Sequence, residues 1–134
     1  MILCDTNILI EFYKNNPVVI QALRLVGSQN LAISAITRAE LYYGAMNKTE
    51  LSRIQKHLDL LINISIDKTI SEQFIQLMVQ YSLSHKLTIP DALIAATALT
   101  QNIGLYTLNL KDFRFIQQLN LYQPPHSPFP TPIS

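Results

Sequence analysis

The chain has 134 residues, 49% of them hydrophobic and 14% charged, with a formal net charge of +1. This length suits one domain that buries about two-thirds of its unfolded surface, and this composition excludes a disordered chain. There is no basic leader ahead of the first apolar run, no apolar run near the ~20 residues of a membrane span, and no global basic field of the kind that gathers nucleic acid.

A short apolar strand, Ile2-Leu3-Cys4, comes first, followed by the polar triplet Asp5-Thr6-Asn7 and a first helix over Ile8 to Tyr13 that stops before Asn15-Asn16-Pro17. Cys4 is the one cysteine, so no intramolecular disulfide is available; a reducing, cytoplasmic setting is expected, with the thiol as a small buried side chain. A second helix over Val18 to Val26 ends at Gly27. Leu31-Ala32-Ile33 reads as a second strand. Two helices follow at Thr37 to Met46 and Glu50 to Leu61, the latter with Leu51, Ile54, Leu58 and Leu61 on one face. Ile62 to Ile66 is a third strand, Ile70 to Leu83 an amphipathic helix, and Ile89 to Thr100 a helix apolar on most sides. Leu105-Tyr106-Thr107 is a fourth strand after Gly104, and Leu119 to Tyr122 a weaker fifth. Short apolar strands alternating with helices predict an α/β fold, a three-layer α/β/α sandwich around a mostly parallel sheet of roughly four or five strands. The domain is expected over residues 1–123; residues 124–134, with five prolines in eleven positions, read as an extended tail.

Nine acidic residues are spread along the chain, and four stand out by context. Asp5 ends the first strand, Glu40 is expected in the first turn of the helix after the second, Asp91 opens the Ala-rich helix, and Asp112 follows the fourth strand. In an open parallel sheet, groups just past the carboxyl ends of strands meet in one crevice. Capping is the simpler reading of each acid alone. Thr37-Arg38-Ala39-Glu40 and Thr88-Ile89-Pro90-Asp91 both fit a capping box, and Asp5 or Thr6 could cap the first helix. Capping does not explain why acids recur beside apolar strand ends, nor why Asp91 precedes the run Ala92 to Leu99. A shared site explains both.

Asp5-Thr6-Asn7 after the first strand, Thr37-x-Ala39-Glu40-Leu41, the run PDALIAATA from Pro90 to Ala98, and TLNLKDF from Thr107 to Phe113 together resemble a PIN domain. More narrowly, the length and motif order resemble the VapC-type toxins, the ribonuclease half of bacterial toxin–antitoxin pairs. The likeness runs from Ile2 to about Tyr122. It implies a doubly wound sandwich, a divalent-metal endoribonuclease site, a homodimer, and an antitoxin that blocks the site. Position by position, it makes Asp5, Glu40 and Asp91 the acidic core. Family members often carry an aspartate where this chain has Asn109, so Asp112 takes the fourth acidic place. Thr6 and Thr107 match small hydroxyl positions that line the family's site, and Asn7 the amide after them.

Elementary electrostatics leads to the same assignment. Carboxylates within about 4–6 Å of one another cannot all stay ionised unaided; one pair at 4 Å repels by about 4 kcal/mol at an effective dielectric of 20. A divalent cation removes the conflict, and oxygen donors favour Mg²⁺ or Mn²⁺ over zinc. His57, His85 and His126 are scattered and read as surface residues. Asp5 and Asp91 would hold the ion, Glu40 would hold it or orient the attacking water, and Asp112 would bind a second ion or a water on the first. Arg38, Lys111 and Arg114 are the nearest basic groups and would contact phosphates of a single-stranded or looped RNA. Tyr42, Tyr43 and Phe12 could stack a base or pack into the core or an interface. A partner presenting Arg or Lys could neutralise the same pocket.

Two other classes fit parts of the pattern. An aspartate-nucleophile phosphatase also starts with Asp after an apolar strand, but needs a second Asp where this chain has Asn7. A non-catalytic PIN-like scaffold that only binds a partner has no use for the three core acids, all of which are present.

Overall fold

The computed structural model describes residues 1–125, so the expected Pro-rich tail lies, from residue 126 onward, outside the described residues. Four parallel strands, β1 (Ile2–Cys4), β2 (Leu31–Ser34), β3 (Ile62–Ile64) and β4 (Gly104–Tyr106), form one sheet in the order β3-β2-β1-β4. Ile2 lies opposite both Leu31 and Gly104, and Cys4 opposite Tyr106. The expected fifth strand contracts to a single bridge, Leu105 with Leu121, fixed by Leu105 N–H donating to Asn120 O and Tyr122 N–H to Leu105 O, both at 2.8 Å. Gln118 turns through the left-handed region (φ 67°) just before it, and Pro124 and Pro125 follow it without N–H donors, so no longer ladder forms.

Six helices connect and cover the strands: α1 (Thr6–Tyr13), α2 (Pro17–Val26), α3 (Ala35–Tyr43), α4 (Lys48–Leu58), α5 (Lys68–His85) and α6 (Ile89–Gln101). Side-chain oxygens set their starts. Asn16 accepts from Val18 and Val19 N–H with Pro17 at the first helical position, Ser34 accepts from Thr37, Asn47 from Glu50, Asp67 from Ile70, and Thr88 from Asp91. The Ser34 and Asn47 caps start α3 and α4 two residues before the expected positions. Glu40 therefore sits in the second turn of α3, and Thr37-x-x-Glu40 is not a capping box. Both helices also stop three residues short of the expected Met46 and Leu61.

Successive strand residues face opposite layers, as the period of two requires. Leu3, Ala32 and Leu105 pack with residues of α5 and α6 and with Phe113 and Ile116. Cys4, Ile33 and Tyr106 pack with residues of α1 to α4. The result is a three-layer α/β/α sandwich. Among the described residues no helix is long and apolar enough to cross a membrane.

The sheet order positions the site. From central β1 the chain moves outward through β2 to β3, then returns to β4 on the other side of β1. The reversal lies between β1 and β4, and a crevice opens there outside the carboxyl ends of the strands. Asp5 and Thr107 are the first residues past those two ends.

Candidate active site

Asp5 is at the centre of the crevice. Its backbone N–H donates to Tyr106 O at 2.9 Å, carrying the β1–β4 pairing one residue further. Its side chain is buried, 5% exposed, and both oxygens are engaged: Oδ1 accepts from Thr6 N–H and Oδ2 from the Thr107 hydroxyl, each at 2.8 Å. Asp5 is thus the α1 cap and a pocket carboxylate at once. Thr107 in turn accepts from Asn109 N–H at 3.0 Å, and Leu108 N–H donates to Asn7 Oδ1 at 3.4 Å, so the β4 loop is tied to the start of α1.

Glu40 reaches this point from α3. The Thr6 hydroxyl donates to Glu40 Oε1 at 2.7 Å and lies 3.1 Å from Thr37 Oγ1. Asp91 approaches from the opposite helical layer at the start of α6, where the Thr88 oxygen accepts its N–H at 3.3 Å. No return bond from Thr88 N–H to the Asp91 carboxylate forms among the described residues, so only half of the expected capping box exists. Asp112 ends a 3-10 turn, Leu110–Asp112, after β4.

These acids lie close enough to disturb one another's ionisation. Burial raises the Asp5 carboxyl above its ordinary range; the Thr107 and Thr6 hydrogen bonds oppose that rise, and the charges of Glu40 and Asp112 reinforce it. Asp91 is pushed up to about 6, first by burial and then by the Asp5 charge, with Thr88 pulling the other way and Asp112 and Glu40 adding smaller pushes. No basic side chain neutralises the group: among the described residues the ion pairs are Glu11 with Lys14 and Arg38 with Asp59.

The donor set suits a hard divalent ion. It is all oxygen, negatively charged and without an internal cation, the condition such an ion relieves. The side chains are not drawn in to ligating distance: among the described residues no three His, Cys, Asp or Glu groups converge on one point. Hydroxyls hold Asp5 and Glu40 instead.

Asp91 predicts a pH signature. In metal-free protein its carboxyl keeps a proton to higher pH than the unfolded chain does, so its ionisation costs stability as pH rises from about 4 through about 6. Taken whole, the displacement corresponds to about 3 kcal/mol; for a half-exposed group, solvent screening leaves about 1–2 kcal/mol. Asp91→Asn is therefore expected to match the parent at pH 4 and exceed it by that amount at pH 8 in urea unfolding with EDTA. Equal stability at both pH values would refute the crowding.

Other expected residues are placed differently. Arg38 is turned away from the acids: one guanidinium nitrogen binds Asp59, another donates to Asn63 Oδ1 at 2.6 Å, and the group lies 5.4 Å from the Tyr42 ring centre. Lys111 and Arg114 are exposed beside Asp112. Asn109 directs its backbone, not its amide, into the network. His57 is half-buried and not a freely exposed surface residue. Its Nδ1 lies 2.7 Å from the Tyr13 hydroxyl and its ring stacks on Phe12, while burial lowers its pKa. Phe12 is thereby committed to packing, and Tyr42 is half-buried, whereas Tyr43 is 94% exposed at a shallow depression shared with Thr6, Ile10, Ala39 and Glu40. Burial pushes the Cys4 thiol up to about 12, so it stays protonated and inert. Ser34 went unnoticed in the sequence, its signal being a hydroxyl at the strand–helix junction; Thr37 and Thr88 were read there only as caps, a role that Thr88 has and Thr37 does not.

A second cleft of about 720 Å³ lies away from the acids, lined by residues that include Leu9, Phe12, Tyr13, Leu23, His57 and Leu61. No carboxylate lines it.

The PIN domain family profile matches residues 2–116. No curated protein matches the sequence. A toxin–antitoxin complex from Klebsiella pneumoniae contains a chain 35% identical to this one, with a TM-score of 0.79 over 92% of this chain and 98% of that one. VapBC2 from Rickettsia felis, solved bound to a DNA fragment from its promoter, is similar at 30% identity and a TM-score of 0.74, over 91% and 98% of the two chains. FitAcB from Neisseria gonorrhoeae is similar at 26% identity and a TM-score of 0.77, over 95% and 100%.

Proposed function

This chain belongs to the PIN domain family, and from that premise we propose that it is the VapC-type toxin of a toxin–antitoxin pair, a divalent-metal-dependent endoribonuclease. The observation that supports the reading is that Asp5, Glu40, Asp91 and Asp112 lie near enough at the β1–β4 crevice to raise one another's ionisation cost, without a cationic partner among the described residues.

Asp5 and Asp91 would hold Mg²⁺ or Mn²⁺, with Glu40 beside them and Asp112 at a second ion or a bridging water. When bound, such an ion supplies charge neutralisation at the phosphoryl oxygens and an acidified water for attack. The chain supplies position. Asp5 is fixed by Thr6 N–H and the Thr107 hydroxyl, so its oxygens need little reorganisation. Glu40 can exchange the Thr6 hydroxyl for an attacking water and accept its proton. The start of α6 adds favourable positive potential at the Asp91 carboxylate. Tyr43 offers an open ring beside Glu40 on which a base of single-stranded or looped RNA can stack. Lys111 and Arg114 stand where phosphates would approach Asp112.

Two partners follow from the same reading. A homodimer has a surface to use: Ile75, Val79 and Leu83 recur every fourth residue on α5 and are 56%, 81% and 95% exposed. An antitoxin that inserts an Arg or Lys into the acidic crevice would silence it by supplying the missing positive charge.

The parent protein is expected to cut single-stranded RNA in Mg²⁺ or Mn²⁺, to stop on addition of EDTA, and to resume when excess metal is restored. Cleavage that persists in EDTA would remove the metal from the mechanism. A folded protein inert towards RNA under every metal condition would favour the partner-binding scaffold instead.

A further inference from the structure

Helix α4 carries a feature the acidic crevice does not use. Lys48, Arg53 and Lys56, three of the ten Lys and Arg residues in the sequence, lie on its outer side. At 3.6 residues per turn, Lys48, Thr49, Ser52, Arg53 and Lys56 fill one continuous arc of about 140°. The same five residues line a shallow hollow, and each is exposed. No carboxylate of α4 itself falls inside the arc, although Asp59, the cap that follows in helical conformation, continues it. Glu50 projects beyond Arg53, and Asp59, the acid just past the helix, is bound to Arg38. Among the described residues none of the three cations makes an ion pair. The opposite side of α4 is committed to the core through Ile54 and Leu58, so the basic side does no structural work.

We propose that this face of α4 is a track for the RNA phosphate backbone, outside the acidic crevice; the inference rests on the ribonuclease reading above. The crevice repels a polyanion and the net charge is only +1, so substrate must be held by local cations. Arg38 is not free for the task. Lys48, Ser52 and Lys56 rise about 6 Å per four residues along the helix, a spacing comparable to that of successive phosphates on one strand. The Thr49 and Ser52 hydroxyls add neutral donors between the charges. An acidic protein segment would also be attracted, but the arc contains no aromatic or aliphatic anchor of the kind that concentrates binding energy in protein interfaces. A row of cations and hydroxyls without such anchors grips backbone, not base edges, so the track holds RNA without reading its sequence.

The test compares Lys48→Gln/Arg53→Gln/Lys56→Gln with the parent and with Lys14→Gln/Lys68→Gln/Lys86→Gln, which removes the same charge elsewhere. Binding of labelled single-stranded RNA is followed by fluorescence anisotropy in EDTA across a salt series, and cleavage is followed in Mn²⁺, with circular dichroism to check folding. The α4 variant is expected to bind about tenfold or more weakly and to show a shallower dependence of log K on log salt. The slope should fall by about 2, from three phosphate contacts at about 0.7 each. KM should rise while kcat is retained, and the control variant should keep the parent slope. An α4 variant with parental affinity and slope refutes the track, as does a control that loses as much. A parent that neither binds nor cuts RNA overturns the ribonuclease reading and the track with it; a parent that does both, matched by the α4 variant, overturns the track alone.

Discussion

Asp5→Asn is expected to lower RNA cleavage by at least about 10³-fold in a protein that stays folded. The amide keeps the shape of the carboxylate, and its oxygen can still accept Thr6 N–H, so the start of α1 survives. What disappears is a buried negative charge that Glu40 and Asp112 repel. A purely capping Asp5 would leave stability, cleavage and any metal affinity little changed. A metal carboxylate predicts otherwise: weaker Mn²⁺ binding by calorimetry, with a melting temperature in EDTA at pH 8 at or above that of the parent. Parental cleavage by the variant would end the assignment of Asp5.

Phe113→Ala has the largest expected effect on the fold. Phe113 is 1% exposed and belongs to the cluster that joins Leu3, Ala32, Ile94, Leu105 and Ile116. Truncating a buried Phe to Ala costs about 3–5 kcal/mol through lost transfer energy and the cavity left behind. Against a total stability of about 5–15 kcal/mol, that removes a large share of it. The effect reaches the site because Phe113 follows Asp112 directly, so its ring anchors the 3-10 turn that presents that carboxylate. Phe113→Leu should cost less, keep the fold and still allow metal binding to be compared with the parent. A urea-unfolding loss below about 1 kcal/mol for Phe113→Ala would show that this residue does not anchor the core.

The parallel sheet and its covering helices were legible because the strands are short, apolar and separated by helical periods, and because Pro17 and Gly27 bracket α2 openly. The start of α3 was not. LAISAI reads as one apolar run, and nothing local reveals that Ser34 leaves the strand to cap a helix. That two-residue shift disqualified Thr37 as the cap partner of Glu40 and left the carboxylate for Thr6, a residue 34 positions away. Asp5, Glu40 and Asp112 could be nominated from their places after strands and Asp91 from the start of the Ala-rich helix, yet their mutual crowding depends on chain reversal between β1 and β4, which is a property of sheet order. Arg38 and His57 show the limit most clearly. Their partners, Asp59 with Asn63 and Tyr13 with Phe12, are brought to them by packing, and no nearby spacing announces either arrangement.

The bonds from Thr6 and Thr107 have a further effect. A hydroxyl steadies an anion without cancelling its charge, so the crevice is rigid while staying electrically unsatisfied. Whatever brings positive charge first claims the same attraction, whether a dissolved ion or the side chain of another protein. Under the proposed reading, switching such an enzyme on and switching it off would be rival outcomes of one contest, decided by local concentration.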